Sequence, residues 1–140
     1  MMRKRPYTRV IERLRGVGLR PTRQRLGLAR ILLEGGDRHI TAEQLHGEAE
    51  ECGLRVSLAT IYNSLHQFTE AGLLREVVVE SGRSYFDTNT SDHHHFYNED
   101  SGSLHDIPGH KVSVAALPEP PEGQAIARVD VIVRVKNQEN

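Results

Sequence analysis

Three consecutive histidines, His93-His94-His95, are the residues of this 140-residue chain whose type and spacing most directly suggest chemistry. In an extended strand, His93 and His95 lie on one face and His94 lies on the other. Two imidazoles on one face, joined by a carboxylate, form a nitrogen and oxygen donor set that suits Fe(II), Mn(II) or Zn(II). Haem iron also accepts neutral histidine, and Phe96 and Tyr97 could support a macrocycle. The cluster therefore predicts an effector site, with a metal ion and haem as alternatives.

Positive charge is concentrated at the start of the chain. Residues 1–30 contain ten Lys/Arg and one Glu, whereas residues 31–90 have a net charge of −6 and residues 91–140 one of −4. A basic segment on an acidic body is typical of a protein that binds a polyanion such as DNA, although a solvated basic tail gives the same pattern.

The compartment follows from what the chain lacks. Cys52 is its one cysteine, so no disulfide can form within it. It contains no apolar run long enough to span a bilayer and no apolar signal region. We therefore expect a cytoplasmic protein with no membrane partner.

Capping residues and apolar spacing predict an α+β fold that begins with four helices. The first is predicted over residues 3–16, and the others begin at the N-caps Thr22, Thr41 and Ser57. The buried stripes of the last two helices are predicted to be Leu45, Ala49 and Cys52, and Leu58, Ile61, Leu65 and Phe68.

Two strands, 74–80 and 83–87, are predicted after the helices and are joined by a Ser-Gly turn. Helices that end in a hairpin form a winged helix-turn-helix, so we predict a winged-helix DNA-binding domain over 1–87. A polar hinge over 88–92 then leads into an effector-sensing domain, 93–140.

The second domain is predicted to be a small α/β dimerisation domain. Its strands are predicted over 94–98, 103–107 and 125–135. Three short strands cannot bury an apolar face alone, and pairing with a second copy would cover it. We therefore expect a homodimer.

The fourth helix presents a polar face once its apolar stripe is subtracted. Ala59 and the Thr60 methyl can meet thymine methyl groups, and Asn63 can pair with an adenine edge. An ordinary amphipathic helix has the same pattern, but the basic first helix favours DNA. Arg20, beside a proline in a loop, could enter a narrow minor groove, which favours A·T-rich operators. The predicted contacts with double-stranded DNA are Arg20, Arg23, Ser57, Ala59, Thr60, Tyr62, Asn63 and Arg83.

Four segments in combination resemble the ferric uptake regulator family, over roughly residues 10–107. These segments are Gly18-Leu19-Arg20-Pro21-Thr22-Arg23-Gln24-Arg25, His39-Ile40-Thr41-Ala42-Glu43-Gln44-Leu45, Leu58-Ala59-Thr60-Ile61-Tyr62-Asn63-Ser64-Leu65, and Phe86-Asp87 followed by the histidines. The resemblance implies a dimeric, metal-responsive transcription factor with a regulatory metal between its two domains. By position, it implies the ligands His39, Asp87, His93, His95 and Asp106.

Two departures from the family pattern modify this expectation. The family's structural zinc is held by two Cys-x-x-Cys pairs, but Asn98 and Ser101 stand at the first pair and 137–140 holds no cysteine. A structural zinc is therefore not expected. The segment after Asp106 is also shorter than the usual dimerisation helix and linker.

The missing cysteines, the histidine run and Asn63, where most members place arginine, resemble the iron response regulator branch of rhizobia and their relatives. That resemblance implies repression of haem-synthesis and iron-use genes, with DNA binding lost when haem binds. The haem ligands would come from His93, His94 and His95. A second, weaker haem site would comprise His39, His46 and His66. A Cys-Pro haem motif is absent, since Cys52 precedes Gly53.

The sequence also bears on two other functions. A hydrolytic enzyme would need an open metal position and a partner acid or base, and no nucleophile motif or phosphate-cradling glycine loop supports one, so no enzyme is expected. A repressor with Fe or Mn as corepressor, or a peroxide sensor, is permitted by Asp87 and Asp106.

Overall fold

The structure, a computed structural model, describes residues 7–80 and 82–139. They form two compact units, one ending at Thr90 and one beginning at Ser91. This boundary lies within 88–92, whose action as a hinge stays a prediction. No helix in the described ranges is long and apolar enough to cross a bilayer.

The first unit contains four helices, and the three predicted N-caps begin three of them. The helices are α1 (Thr8–Gly16), α2 (Arg23–Leu33), α3 (Ala42–Glu51) and α4 (Leu58–Glu70). The side chains of Thr22, Thr41 and Ser57 each accept a hydrogen bond from a first-turn backbone amide. Thr41 and Gln44 form a reciprocal capping box, which satisfies two amides that would otherwise lack partners. The part of the predicted first helix before residue 7 lies outside the described residues.

The core of this unit lies between the four helices. Its fully buried members include Leu14, Leu28, Leu32, Leu45, Ile61 and Leu65. Two expectations about it were wrong. Leu58 is 37 % exposed because it is the first residue of α4, where the helix starts at the surface. Cys52 is exposed because α3 ends at Glu51 and the chain turns away through Gly53, which has a φ of +76°.

A three-stranded antiparallel sheet completes the first unit. Its strands are β1 (His39–Ile40), β2 (Arg75–Glu80) and β3 (Arg83–Asp87), in the order β1-β3-β2. The β2–β3 hairpin, called the wing below, confirms the predicted hairpin, and Gly82 takes the positive φ of +72° that its tight turn requires. The two-residue strand β1 was not predicted, since two residues carry no detectable period.

The second unit is a sheet of three strands. These are β4 (His93–Asn98), β5 (Leu104–Pro108) and β6 (Ile132–Val135), in the order β5-β4-β6. β4 pairs antiparallel with β5 and parallel with β6. The predicted strand over 125–135 begins only at Ile132, which pairs with His95. In this register residues 125–129 lie beyond the start of β4 at His93, so they have no partner strand there.

The architecture confirms the predicted α+β class, with a helix-rich winged-helix domain followed by a small sheet domain. Within the described part of the second unit, the helical component is one 3-10 turn, Gly109–Lys111.

Candidate functional site

Strand β4 sorts its histidines onto two faces, as the sequence predicts. His93 and His95 are 4 % and 1 % exposed, and their ring centroids are 4.6 Å apart. His94 and Phe96 alternate with them, and both are more exposed. The two buried imidazoles are therefore one pair on one face of the sheet.

Asp106 brings a carboxylate to this pair from the neighbouring strand. It lies opposite His95 in the β4–β5 register, and its Oδ1 is 3.4 Å from Nε2 of both His93 and His95. One ligand atom from each of the three residues lies within 4.8 Å of the others. A tetrahedral ion with ligands about 2.1 Å away separates neighbouring ligand atoms by about 3.4 Å. The three side chains thus fit one divalent ion, and Asp106, with 44 % side-chain exposure, provides its open side.

Backbone contacts distinguish the ligand nitrogens of His93 from those of His94. His93 Nδ1 lies 2.7 Å from the carbonyl oxygen of Ser91, which can only accept, so this nitrogen carries a proton, and in the neutral imidazole Nε2 keeps its lone pair. His94 Nδ1 instead accepts a hydrogen bond from Val131 N at 3.1 Å. A neutral His94 then carries its proton on Nε2. His93 is set to coordinate, whereas His94 ties β4 to the chain leading into β6.

The first unit brings two further predicted ligands together. His39 on β1 and Asp87 on β3 face each other in register, and Arg75 on β2 faces Asp87 from the other side. Asp87 is 1 % exposed and accepts a hydrogen bond from Asn89 N at 2.9 Å. The His39 ring meets Tyr85 edge-on at 6.3 Å. Asp87 is thus a buried residue of the central strand, and its register partners on the two neighbouring strands are Arg75 and His39.

Two histidines of the predicted second haem group, His46 and His66, make different contacts. His46 Nε2 lies 3.1 Å from the carbonyl oxygen of Val56, whereas His66 packs against Tyr62 and Phe86. In the part of the chain that the structure describes, neither His46 nor His66 enters a cluster of three metal-ligating side chains. A haem site made from His39, His46 and His66 stays a prediction.

Helix α4 presents the predicted DNA-reading face. Ala59, Tyr62 and Asn63 are exposed, and Thr60 is half-buried. The predicted phosphate contact Ser57 caps the helix, its Oγ accepting from Thr60 N at 3.1 Å. Arg20, Arg23 and Arg83 are all exposed.

Arg25, one of the arginines of the basic N-terminal segment, supports this surface through hydrogen bonds within the protein. Its guanidinium donates to Gln67 Oε1 on α4 and to the Arg20 carbonyl oxygen, each at 3.0 Å. It therefore ties the loop that carries Arg20 to the reading helix. Its contact with α4 spans 42 residues, a separation that local sequence patterns do not reveal.

Glu43 also contacts the predicted DNA-reading face of α4, although the sequence analysis did not assign it to that face. Its Oε1 accepts a hydrogen bond of 2.7 Å from the Tyr62 hydroxyl. This bond lowers the pKa of Glu43, with a smaller contribution from Arg83, and raises the pKa of Tyr62. A carboxylate therefore stands among residues predicted to meet DNA. The sequence placed Glu43 in the first turn of α3, but it did not indicate the contact with Tyr62.

A sequence model of the ferric uptake regulator family matches residues 16–124, well over half of the chain. The chain belongs to the ferric uptake regulator family.

Curated relatives carry the same family name. The ferric uptake regulation protein of Shigella flexneri is 38 % identical over 82 residues, 59 % of this chain and 55 % of that protein. That of Escherichia coli (strain K12) is 37 % identical over 82 residues, with the same two shares. The chain thus matches about half the length of these relatives.

Solved structures of family members share its fold. The ferric uptake regulator from Pseudomonas aeruginosa with manganese has a TM-score of 0.68 at 24 % identity, over 91 % of this chain and 97 % of that one. The Vibrio cholerae regulator has a TM-score of 0.70 at 23 % identity, over 91 % and 99 %.

This ferric uptake regulator family member holds asparagines where the resemblance implied zinc-binding cysteines. Asn98 Nδ2 donates to Asn137 Oδ1 at 2.8 Å, and Asn137 N donates to Asp100 Oδ2 at 2.8 Å. Asn98 Oδ1 also accepts from the amides of Asp100 and Ser101. Hydrogen bonds therefore connect the end of β4 to the chain after β6. They involve the positions that were compared with the family's two Cys-x-x-Cys pairs.

Proposed function

We propose that this protein is a dimeric, DNA-binding transcriptional regulator, mainly a repressor, whose DNA binding depends on a divalent metal held by His93, His95 and Asp106. The observation that carries the proposal is the placement of Asp106 Oδ1 at 3.4 Å from Nε2 of both histidines. Family membership favours a regulator over an enzyme, acting on DNA in the cytoplasm. The relatives' name favours genes of iron homeostasis as its targets.

The donor set supports Fe(II), Mn(II) or Zn(II) as the effector. Two imidazoles and one carboxylate form a borderline site, at which Zn(II) binds more tightly than Fe(II) or Mn(II) by intrinsic affinity. Selection in the cell then follows metal availability. We propose His39 and Asp87 as further ligands, which variants of each residue would test through a change in metal affinity.

DNA recognition is proposed for the exposed face of α4, with positioning by arginines. The basic residues of the N-terminal segment supply phosphate contacts, and the capped N-terminus of α4 supplies backbone amides for another. Arg20 is proposed to favour A·T-rich operators through a narrow minor groove.

Dimerisation is proposed through the face of the second sheet that carries Phe96, which is opposite to the face of His93 and His95. Phe96 on β4 and Val133 on β6 are register partners, and they are 40 % and 37 % exposed. Apolar side chains exposed on a small sheet favour association, because removing their surface from water is favourable. A second copy of the chain would cover these residues.

Haem is the competing effector, as the histidine run and the resemblance to the iron response regulator branch suggest. It would release the protein from DNA, whereas the proposed metal strengthens binding. The near-complete burial of His93 and His95 favours a small ion over a planar macrocycle, and the His94 proton on Nε2 opposes coordination by that nitrogen.

The test begins with selection of an operator from random duplex DNA. Operator affinity is then measured for chelator-treated, Mn(II)-loaded, Zn(II)-loaded and haem-loaded protein at one fixed salt concentration. The proposal expects tighter binding with a divalent ion. Binding that ignores divalent ions and is lost with haem would replace it with the haem alternative.

A further inference from the structure

A cleft of about 580 Å³ lies between α4 and the wing, and two carboxylates line it although DNA is itself negatively charged. The charged residues lining it are Glu43, Glu76 and Arg83. Glu43 lies in the first turn of α3, so its carboxylate also stabilises that helix end. Helix stabilisation alone does not explain its contact with α4.

The contact fixes Tyr62. The Tyr62 hydroxyl donates to Glu43 Oε1 at 2.7 Å, and its ring stacks on His66 at 6.4 Å with an interplanar angle of 23°. His66 in turn meets the buried Phe86 ring edge-on at 5.8 Å. Tyr62 is therefore held at its hydroxyl and supported behind its ring, although it is itself 36 % exposed.

We infer that Glu43 is a specificity-determining positioning residue of the DNA-reading surface, an inference that rests on the proposed function. By occupying the Tyr62 hydroxyl, Glu43 removes a donor that would otherwise bind any phosphate, and it leaves the ring to face the bases. Its negative charge lies among Tyr62 and Arg83 and repels phosphates that enter the cleft out of register. Glu43 thereby weakens non-specific binding more than operator binding.

The charge effect is tested with Glu43→Gln, which keeps an acceptor for the Tyr62 hydroxyl and removes the charge. The control is Glu51→Gln, an exposed residue at the other end of α3, roughly 12 Å along the helix axis. Affinity for the selected operator and for a scrambled duplex is measured across a salt series. We expect Glu43→Gln to tighten scrambled-duplex binding by about threefold or more and to lower the ratio of operator to scrambled affinity, while the control changes neither.

The positioning effect is tested with Glu43→Ala, Tyr62→Phe and their combination. Glu43→Gln is the reference for Glu43→Ala, since both lack the charge and only Gln keeps an acceptor. If the hydrogen bond orients the ring, Glu43→Ala binds the operator more weakly than Glu43→Gln, and Tyr62→Phe binds it more weakly than wild type. In the combination, Tyr62→Phe then has a smaller effect than it has alone. The melting temperature of each variant separates these effects from unfolding.

The outcomes separate failure of the role of Glu43 from failure of the proposed DNA-binding function. A wild-type preference for the operator, together with an unchanged ratio in Glu43→Gln and additive effects in the double variant, overturns the role of Glu43 alone. A wild-type protein that prefers no duplex overturns the proposed function, and the role of Glu43 with it.

Discussion

Asp106 lies directly opposite His95 across the β4–β5 ladder, with its Oδ1 3.4 Å from the His95 Nε2. Cross-strand register is therefore what brings the carboxylate to the histidine pair, since 11 positions separate the two residues along the chain. A slip of one residue would move Asp106 to the opposite face of the sheet. Metal binding and strand pairing in the second unit should accordingly stabilise each other.

We expect Asp106→Asn to lower the affinity for Zn(II) and Mn(II) by at least about 100-fold. Loss of a group that merely orients a ligand commonly costs 10- to 100-fold, so loss of a ligand charge should cost no less. Titration against a chromophoric chelator measures the change. The exposed Asp106 side chain makes this variant milder for folding than a change at buried His95.

Two controls accompany that measurement. Asp130→Asn removes an exposed carboxylate of the same unit, and His94→Ala removes the histidine of the opposite face. Both should retain metal affinity within about twofold, although His94→Ala should lower the melting temperature because Val131 N loses its acceptor. Equal loss of affinity in His94→Ala and Asp106→Asn would show that the site is wrongly assigned.

Substitutions at Ser57 separate helix capping from phosphate binding. Ser57→Asn and Ser57→Asp both keep an N-cap acceptor, so each should retain the stability of the protein, whereas Ser57→Ala should lose about 1 kcal/mol. The added negative charge of Ser57→Asp should repel a phosphate at the helix N-terminus. We expect operator affinity to fall markedly for Ser57→Asp and little for Ser57→Asn, as measured by fluorescence anisotropy. Equal affinity for these two variants would exclude a phosphate at this position.

The Tyr62–Glu43 bond predicts a pH dependence at both of its ends. Because it raises the pKa of Tyr62, its stabilising effect is present below the ordinary tyrosine pKa and is lost as the pH rises through the raised value. Because the pKa of Glu43 is lowered, the effect is also lost as the pH falls from the ordinary glutamate pKa through the lowered one. Tyr62 ionisation is followed by tyrosinate absorbance, from which the absorbance of the same protein carrying Tyr62→Phe is subtracted. Tyr62 should ionise at a lower pH in Glu43→Ala than in wild type. An unchanged titration would contradict the bond.

Dimerisation should depend on the exposed Phe96–Val133 face. Phe96→Glu places a charge on that face and should shift the protein toward monomer in sedimentation. Val78→Glu, at a strand position of the first unit that is 58 % exposed, is the matched control and should leave the mass unchanged. A dimer that persists in Phe96→Glu would place the interface elsewhere.

Local patterns predicted much of the first unit. Thr22, Thr41 and Ser57 were identifiable as caps because a cap satisfies amides within three residues of itself. Strand alternation likewise placed His93 and His95 on one face. Helix ends were less accurate, since Leu58 and Cys52 have apolar character but lie where α4 begins and where α3 has ended.

Contacts between distant residues were not predictable in this way. The alternating segment before Ile132 has the composition of a strand, but strand formation also requires a neighbour, and in this register β4 begins too late to lie opposite residues 125–129. The Tyr62–Glu43 hydrogen bond joins residues 19 positions apart on two helices, so it depends on how those helices pack. The ligand residues could be named from the family resemblance, whereas the spacing of Asp106 from the two histidines required the sheet register.

Operator affinity measured with and without metal decides whether the His93–His95–Asp106 site controls DNA binding. Wild-type protein and Asp106→Asn are compared by anisotropy at fixed salt, each with chelator and with Mn(II). We expect Mn(II) to tighten wild-type binding by about 5- to 150-fold, the usual range of allosteric coupling, and to leave the operator affinity of Asp106→Asn unchanged. Equal wild-type affinity with and without Mn(II), or an equal response in Asp106→Asn, would contradict this expectation.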